Sequence, residues 1–352
     1  MKESDIASII GQELDSNITT ILQNRLSLLS EWRILVKDNF EHLNYVLDKL
    51  DERLITSDHW LFITYDELDR LLTTYNALAN PIRELLAFWL ERSRRWERIR
   101  PKIFLRTDLF REEFLGFPDA SKLQSHRLEW RPSWLYQLWI KRLANSAQEM
   151  RDYLQIIPNL IYESSTQLGW NVRSDEQLFQ ELIEIMIGKY MGASPKKGIT
   201  YRWIPNHLQD TGGRIAPRSF LKLFDLAAAK RLERFEQLTE LYLLQPSDLQ
   251  SALMDTSEDR IKELAQEEYS WLESLKTNLE GLEAPILKET FLEAVRSTKW
   301  EKLPPVTEPE GIMQYLIQLG VVESRLDGRI NIPEIYLYGF KVKRRGGVKR
   351  PQ

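Results

Sequence analysis

The chain has no cysteine, only four histidines and few glycines. Without cysteine there are no disulfides, thiolate zinc sites, iron–sulfur clusters or cysteine nucleophiles. His42, His59, His126 and His207 are widely spaced, and none forms the i, i+4 pair of a helix-borne zinc site. The 15 glycines in 352 residues are about 4 %, against a usual ~7 %. Gly11 is the sole glycine before Gly116. A phosphate loop of the form G-x-x-x-x-G-K-[ST], or a dinucleotide G-x-G-x-x-G, is therefore excluded there, and no later stretch matches either. Nor does any run of about 18 apolar residues exist, so no membrane span is expected. The first residues do not form a signal peptide, and a cytoplasmic location is expected. Net charge is −4, which excludes a globally basic coat but leaves room for local patches.

Against these absences stand 43 % hydrophobic and 28 % charged residues, the balance of a globular chain with a substantial core. Ile6, Ile9, Ile10, Leu14, Ile18, Ile21, Leu22 and Leu26 recur at helical spacing. Trp32, Leu35, Val36, Phe40, Leu43, Leu47, Leu50 and Leu54 do the same. These stripes need a surface, either a second copy through residues 4–54 or the chain's own next segment. Residues 60–65 (WLFITY) break the period and read as a buried strand of a parallel sheet. Asp66-Glu67 comes next, then a helix broken at Asn80-Pro81 and a second helix to about Trp96. Strands are expected at 102–107 and 126–130. A helix opening at Pro132-Ser133 should bury Trp134, Leu135, Leu138, Trp139 and Leu143.

From about 151 the pattern is helical, with one stripe through Phe179, Leu182, Ile183, Met186, Ile187 and Tyr190. Residues 192–217 read as a loop, followed by a helix from Arg218 to Leu238. Further helices are expected over 246–297, then a linker or hinge at Pro304-Pro305. A short helix, Ile312 to Leu319, should end at Gly320. A hairpin comes after it, with a type I′ turn at Asp327-Gly328. A helix–hairpin unit of this kind is what a winged-helix module looks like.

Three clusters carry possible chemistry. Asp66 at the end of an apolar strand is placed to hold Mg²⁺ through water, and Glu67 to polarise an attacking water. The alternative is that Asp66 caps the next helix, with Glu67 in its first turn. Arg106 and Thr107 end the next strand, where ligands of open α/β sheets bind. Gly212-Gly213-Arg214-Ile215-Ala216-Pro217-Arg218 opens a helix with two arginines at its positive end, which a bound anion would relieve. Residues 92–111 hold Arg92, Arg94, Arg95, Arg98, Arg100, Lys102, Arg106 and Arg111, with Trp89 just before them and Trp96 among them. The tail from Lys341 to Arg350 is also basic. Each is a possible nucleic-acid surface or an ordinary solvated face.

In order, these segments resemble the C-terminal two thirds of a bacterial P-loop ATPase of the STAND/AAA-like class. WLFITYDELDRL (60–71) looks like a Walker B strand. KIFLRTDLF (102–110) looks like sensor 1, and HRLEW (126–130) with the helix after it like the last core strand and helix. GGRIAPRSFLKLFDLA (212–227) looks like a sensor-2 helix, and 319–340 like a winged helix. The resemblance implies a mostly α chain with an α/β portion: N-terminal amphipathic helices (1–57), a partial P-loop sheet core (58–150), a helical lid (151–240), a winged-helix-like domain (241–345) and a basic tail (346–352). It implies ATP and Mg²⁺ as cofactors, with Asp66, Glu67, Arg106 and Thr107 as catalytic residues. Asp66 would hold the metal, and Arg214 and Arg218 would contact the nucleotide.

The Walker A loop that should precede Walker B is absent from the sequence. Its backbone donors and lysine normally carry the phosphate charge. Three explanations are open: a truncated or split product, one half of a two-chain ATPase with a P-loop-bearing partner, or a degenerate scaffold. The expected role is a nucleotide-dependent switch in prokaryotic defence or signalling. The alternative is a non-enzymatic scaffold that binds protein or nucleic acid through the lid and winged helix.

Overall fold

The computed structural model describes residues 37, 39–68, 75–105, 110, 128–164, 168–234 and 242–345. The expected helix over 4–29, the start of the helix over 31–54, and the tail beyond 345 lie outside them. The described chain is mostly α-helical, with short strands in two-stranded sheets. No described helix is long and apolar enough to cross a membrane. Contacts divide the chain into two compact units, 1–127 and 128–352. The helix that opens at Pro132 therefore groups with the segments after it, and residues 151–240 and 241–345 share one apolar core.

In the first unit, helix α1 (Phe40–Thr56) turns Leu50 and Leu54 inward, as its stripe predicts, with Val46 beside them, while Phe40 of the predicted stripe is exposed. Strand β1 (Leu61–Tyr65) comes next. Helix α2 (Tyr75–Arg92) leads to β2 (Ile99–Ile103), which pairs in parallel with β1. Leu50, Leu54, Trp89, Trp96 and Ile99 form the core, with Leu61, Ile63, Tyr65 and Ile103 packed on it. For 40–56, then, the apolar stripe is used within the chain.

Three expectations change here. Helix α2 runs through Pro81 instead of breaking there. A proline inside a helix costs roughly 3 kcal/mol. Burial of Ile82, Leu86 and Trp89 on the following turns offsets it. Strand β1 alternates between half-buried and exposed residues, with Phe62 51 % exposed, so it is not buried on both faces. Strand β2 begins three residues earlier than predicted and contains Pro101, opposite Ile63. Its start is set by Asp51 of α1. That buried carboxylate accepts the backbone N–H of Glu97 (2.9 Å), Arg98 (2.7 Å) and Ile99 (3.1 Å). Asp48, one turn earlier, accepts from Arg95 Nε (2.7 Å) and Trp96 Nε1 (2.8 Å). The Arg95 guanidinium holds the Asp48 carboxyl below the usual aspartate range.

In the second unit, helix α3 (Pro132–Ala144) buries Leu135, Tyr136, Trp139 and Ile140, while Trp134 lies outside with Arg131 over its ring. The inward face is thus rotated from the predicted one. Residues 128–130 are not a strand, and Leu128 and Trp130 are exposed. Helix α4 (Gln148–Leu154) precedes an antiparallel pair, β3 (Ile161–Glu163) and β4 (Trp170–Val172), in a region that reads as wholly helical. Asn145 ties this hairpin to α3, accepting Trp170 N–H (2.9 Å) and donating to the Trp170 carbonyl (2.9 Å). Helix α5 (Glu176–Met186) shows the predicted stripe, capped by Asp175.

The stretch 192–217 is not all loop. Helix α6 (Thr200–Leu208) forms within it despite Pro205. Proline has no N–H for the carbonyl four residues back, which is Tyr201. The Tyr136 hydroxyl donates to that carbonyl instead, at 2.7 Å. Burial drives the Tyr136 pKa well up, so the proton it donates is always present. Trp139 stacks on Phe224 of helix α7 (Pro217–Leu232) with centroids 3.9 Å apart, and α7 packs on α8 (Pro246–Glu263).

The C-terminal part runs α9 (Leu272–Leu279), β5 (Glu283–Ala284), α10 (Lys288–Arg296), α11 (Pro309–Leu319), β6 (Glu323–Ser324), β7 (Ile330–Asn331), α12 (Glu334–Leu337) and β8 (Lys343–Arg344). Pro304-Pro305 lies in the α10–α11 connection, inside this unit. Gly320 ends α11 in the left-handed conformation, as predicted. Strands β6 and β7 form the expected hairpin, but the turn is not type I′. Arg325 and Arg329 close a three-residue loop in which Gly328 alone takes positive φ, the type I turn followed by a bulge. Ile286, just after β5, exchanges both backbone bonds with Ile330, each at 2.8 Å.

Two outcomes are expected. Tyr136→Phe keeps the ring but strands the Tyr201 carbonyl, and should lower urea-unfolding stability of the second unit by about 1–3 kcal/mol. Asp51→Ala leaves three amides without an acceptor and should cost on the order of 3 kcal/mol. Hydrogen exchange should localise that loss to β1, β2 and residues 97–99, and Asp51→Asn should lose less.

Candidate functional site

Parallel strands bring their carboxyl ends to one edge of a sheet. Strands β1 and β2 are neighbours, so the residues after Tyr65 and those after Ile103 emerge together. Phe104 N–H donates to the Tyr65 carbonyl (2.9 Å), which carries the pairing to that edge. Asp66 and Glu67 stand there, both exposed. Asp66 Oδ1 accepts Glu67 N–H at 2.8 Å. Glu67 has φ +55°, a left-handed conformation that costs a non-glycine residue roughly 1–2 kcal/mol. Strained backbone of this kind concentrates at ligand sites. Arg106 and Thr107 lie outside the described residues.

Adjacent exposed carboxylates at a sheet edge fit a hydrated divalent cation held through water. Among the described residues no group of three or more acids or histidines is arranged to hold a metal directly. The donors that a triphosphate needs as a glycine-rich loop are missing from the sequence.

Arg214 and Arg218 are in the second unit, and the structure gives Arg214 other work. Asp210 Oδ1 accepts the N–H of Gly212 (2.8 Å) and Arg214 (2.9 Å), and its Oδ2 takes Arg214 Nε (2.8 Å). The same guanidinium donates to the Leu319 carbonyl at the end of α11 (3.2 Å), while Thr211 N–H donates to Gly320 (3.1 Å). The loop is a clamp on the C-terminus of α11. Arg218 stands exposed one residue after Pro217, in the first turn of α7. Of the basic tail, Lys341 pairs with Glu280 (3.1 Å). Arg344 donates to Asn331 (2.7 Å) and the Ile332 carbonyl (3.0 Å).

Sequence reasoning overlooks one polar cluster. His207 of α6 and Glu334 of α12 are both buried and meet at 3.2 Å through Nε2 and Oε2. Arg344 Nε lies 3.7 Å from the other Glu334 oxygen. His207 Nδ1 is 2.6 Å from the Trp203 carbonyl. A carbonyl only accepts, so Nδ1 carries a proton. A lone histidine in a segment read as loop offers no signal for this pair.

Comparisons with protein-family models, curated proteins and solved structures returned no match.

If the Asp210 clamp is structural, Asp210→Ala should destabilise the second unit by about 2 kcal/mol. Arg214→Ala, at a half-exposed side chain, should cost under about 1 kcal/mol. Urea unfolding measures both, and the reverse ranking would contradict the clamp.

Proposed function

We propose that the chain belongs to an ATPase-type nucleotide switch whose phosphate-binding loop is supplied in trans. One observation carries this reading: two adjacent parallel strands with Asp66 and Glu67 at their shared carboxyl edge. Asp66 would hold Mg²⁺ through water and Glu67 would orient the attacking water, with Arg106, Thr107 and Arg218 as further contacts. Bound Mg²⁺–ATP would supply the phosphoryl chemistry. The chain's own part is to fix two carboxylates at the end of β1, which packs on the Trp89–Trp96 core and pairs with β2, whose start Asp51 holds. The order α9, β5, α10, α11, β6, β7, with Ile286 bridging to Ile330, supports a winged-helix-like module after a helical lid. The resemblance supports a role in prokaryotic defence or signalling, and a cytoplasmic location goes with this reading.

A second reading, a non-enzymatic scaffold, draws on the clamp that engages Arg214. Helix α11 adds to it. That helix, third in the module, carries no lysine or arginine, and Glu310, Gln314 and Gln318 line its exposed side. Such a surface suits a protein partner better than a phosphate backbone.

Binding of a fluorescent ATP analogue with Mg²⁺ separates the two. The switch reading expects binding by the chain mixed with a Walker A-bearing polypeptide encoded beside it, but not by the chain alone. Asp66→Ala should weaken that binding about tenfold or more. Binding that ignores both Asp66→Ala and Glu67→Gln favours the scaffold.

A further inference from the structure

The sheet of the first unit has two unlike faces. Leu61, Ile63, Tyr65, Ile99 and Ile103 point into the core. The alternate positions of β1 carry Trp60, Phe62 and Thr64, and those of β2 carry Arg98, Arg100, Lys102 and Phe104. None of these is acidic. Trp60, Phe62 and Phe104 are 50 %, 51 % and 46 % exposed, a large aromatic area for one small sheet. The Trp60 and Phe62 rings lie 7° from parallel with centroids 6.1 Å apart. The Arg98 guanidinium sits 4.8 Å from the Trp60 ring centre, and Lys102 Nζ 4.9 Å from that of Phe62. Arg98 is also paired with Asp58 (3.0 Å), and Arg100 donates to the Ser93 carbonyl (3.3 Å). The Asp58 pair holds Arg98 beside its ring, while the Arg100 guanidinium is held by the carbonyls of Ser93, Trp96 and Ile99.

Charge points the same way. Residues 92–111 contain eight basic and two acidic residues, in a chain whose net charge is −4. A purely apolar partner would have to desolvate the Lys102 ammonium without compensation. A polyanion with flat apolar groups satisfies both the rings and the cations. Unpaired nucleobases have that chemistry, because every base offers a face to stack and every linkage a phosphate. A duplex hides its base faces in its own stack.

We propose that the open face of the β1–β2 sheet binds single-stranded nucleic acid. Bases stack on Trp60 and Phe62, and Lys102 and Arg100 take the phosphates. This goes beyond the nucleotide reading and does not depend on it, since the acids at the sheet edge take no part.

The test uses the full chain without nucleotide or Mg²⁺. Anisotropy of a labelled oligothymidylate is titrated at low salt, with a labelled duplex of equal length in parallel. The expected result is tighter binding of the single strand, with quenching of tryptophan fluorescence. Trp60→Ala and Phe62→Ala should each weaken it about tenfold. Lys102→Glu should weaken it and flatten its salt dependence. All three positions are exposed, and an unchanged urea midpoint confirms that each variant folds. The proposal is overturned by absence of binding at low salt, by duplex binding of equal strength, or by indifference to the two aromatic substitutions. Displacement of the oligothymidylate by polyglutamate at equal charge would also overturn it, because the face would then be reading charge alone and would suit an acidic polypeptide.

Discussion

The Asp51 carboxylate accepts three consecutive amides, those of Glu97, Arg98 and Ile99. Buried N–H groups without acceptors cost about 1–3 kcal/mol each. Strand β2 therefore begins where α1 places its carboxylate, and β1 gains a parallel neighbour there. With β2 in that register, Ile99 enters the core and Lys102 and Phe104 come to the open face. The carboxyl edge falls just beyond Tyr65. Both the core and the two exposed surfaces of the first unit depend on that register. The second unit uses the same device on loops. Asp210 gathers the amides of 212 and 214, and Asp248 closes the first turn of α8 on Gln245 while pairing with Arg234. Irregular segments are held by acids that organise backbone.

The periodic elements were legible from residue spacing. The stripes of α1 and α5, the start of α3 at a proline and the end of α11 at Gly320 need only local rules. What was not legible depends on contacts distant in sequence. Helix α6 looks broken at Pro205 until the Tyr136 hydroxyl, from another helix, replaces the missing donor. The β3–β4 hairpin is held by Asn145 from the end of α3. The β2 register depends on Asp51, more than forty residues earlier. Proline and glycine punctuate a chain reliably only where no side chain elsewhere repairs the break.

The candidate site divides in the same way. Asp66 and Glu67 were legible because a strand followed by acids is a local pattern, and the parallel pairing gives that pattern an edge to act on. Arg214 has a contact that its spacing does not announce. Its position near a helix start suggests an anion, and in the structure an aspartate four residues earlier engages its guanidinium. The aromatic face escaped notice for a related reason. Trp60 and Phe62 read as part of a buried strand, and only the alternation of exposure along β1 separates them from Leu61 and Ile63.

The His207–Glu334 contact has a bearing on how the C-terminal segment is retained. The imidazole of α6 and the guanidinium of β8 approach opposite oxygens of the one Glu334 carboxylate, at 3.2 Å and 3.7 Å. Taking β8 away would leave a buried carboxylate without its guanidinium, and an unpaired buried charge is costly. The segment after α12 is thus tied back to it by charge as well as by packing.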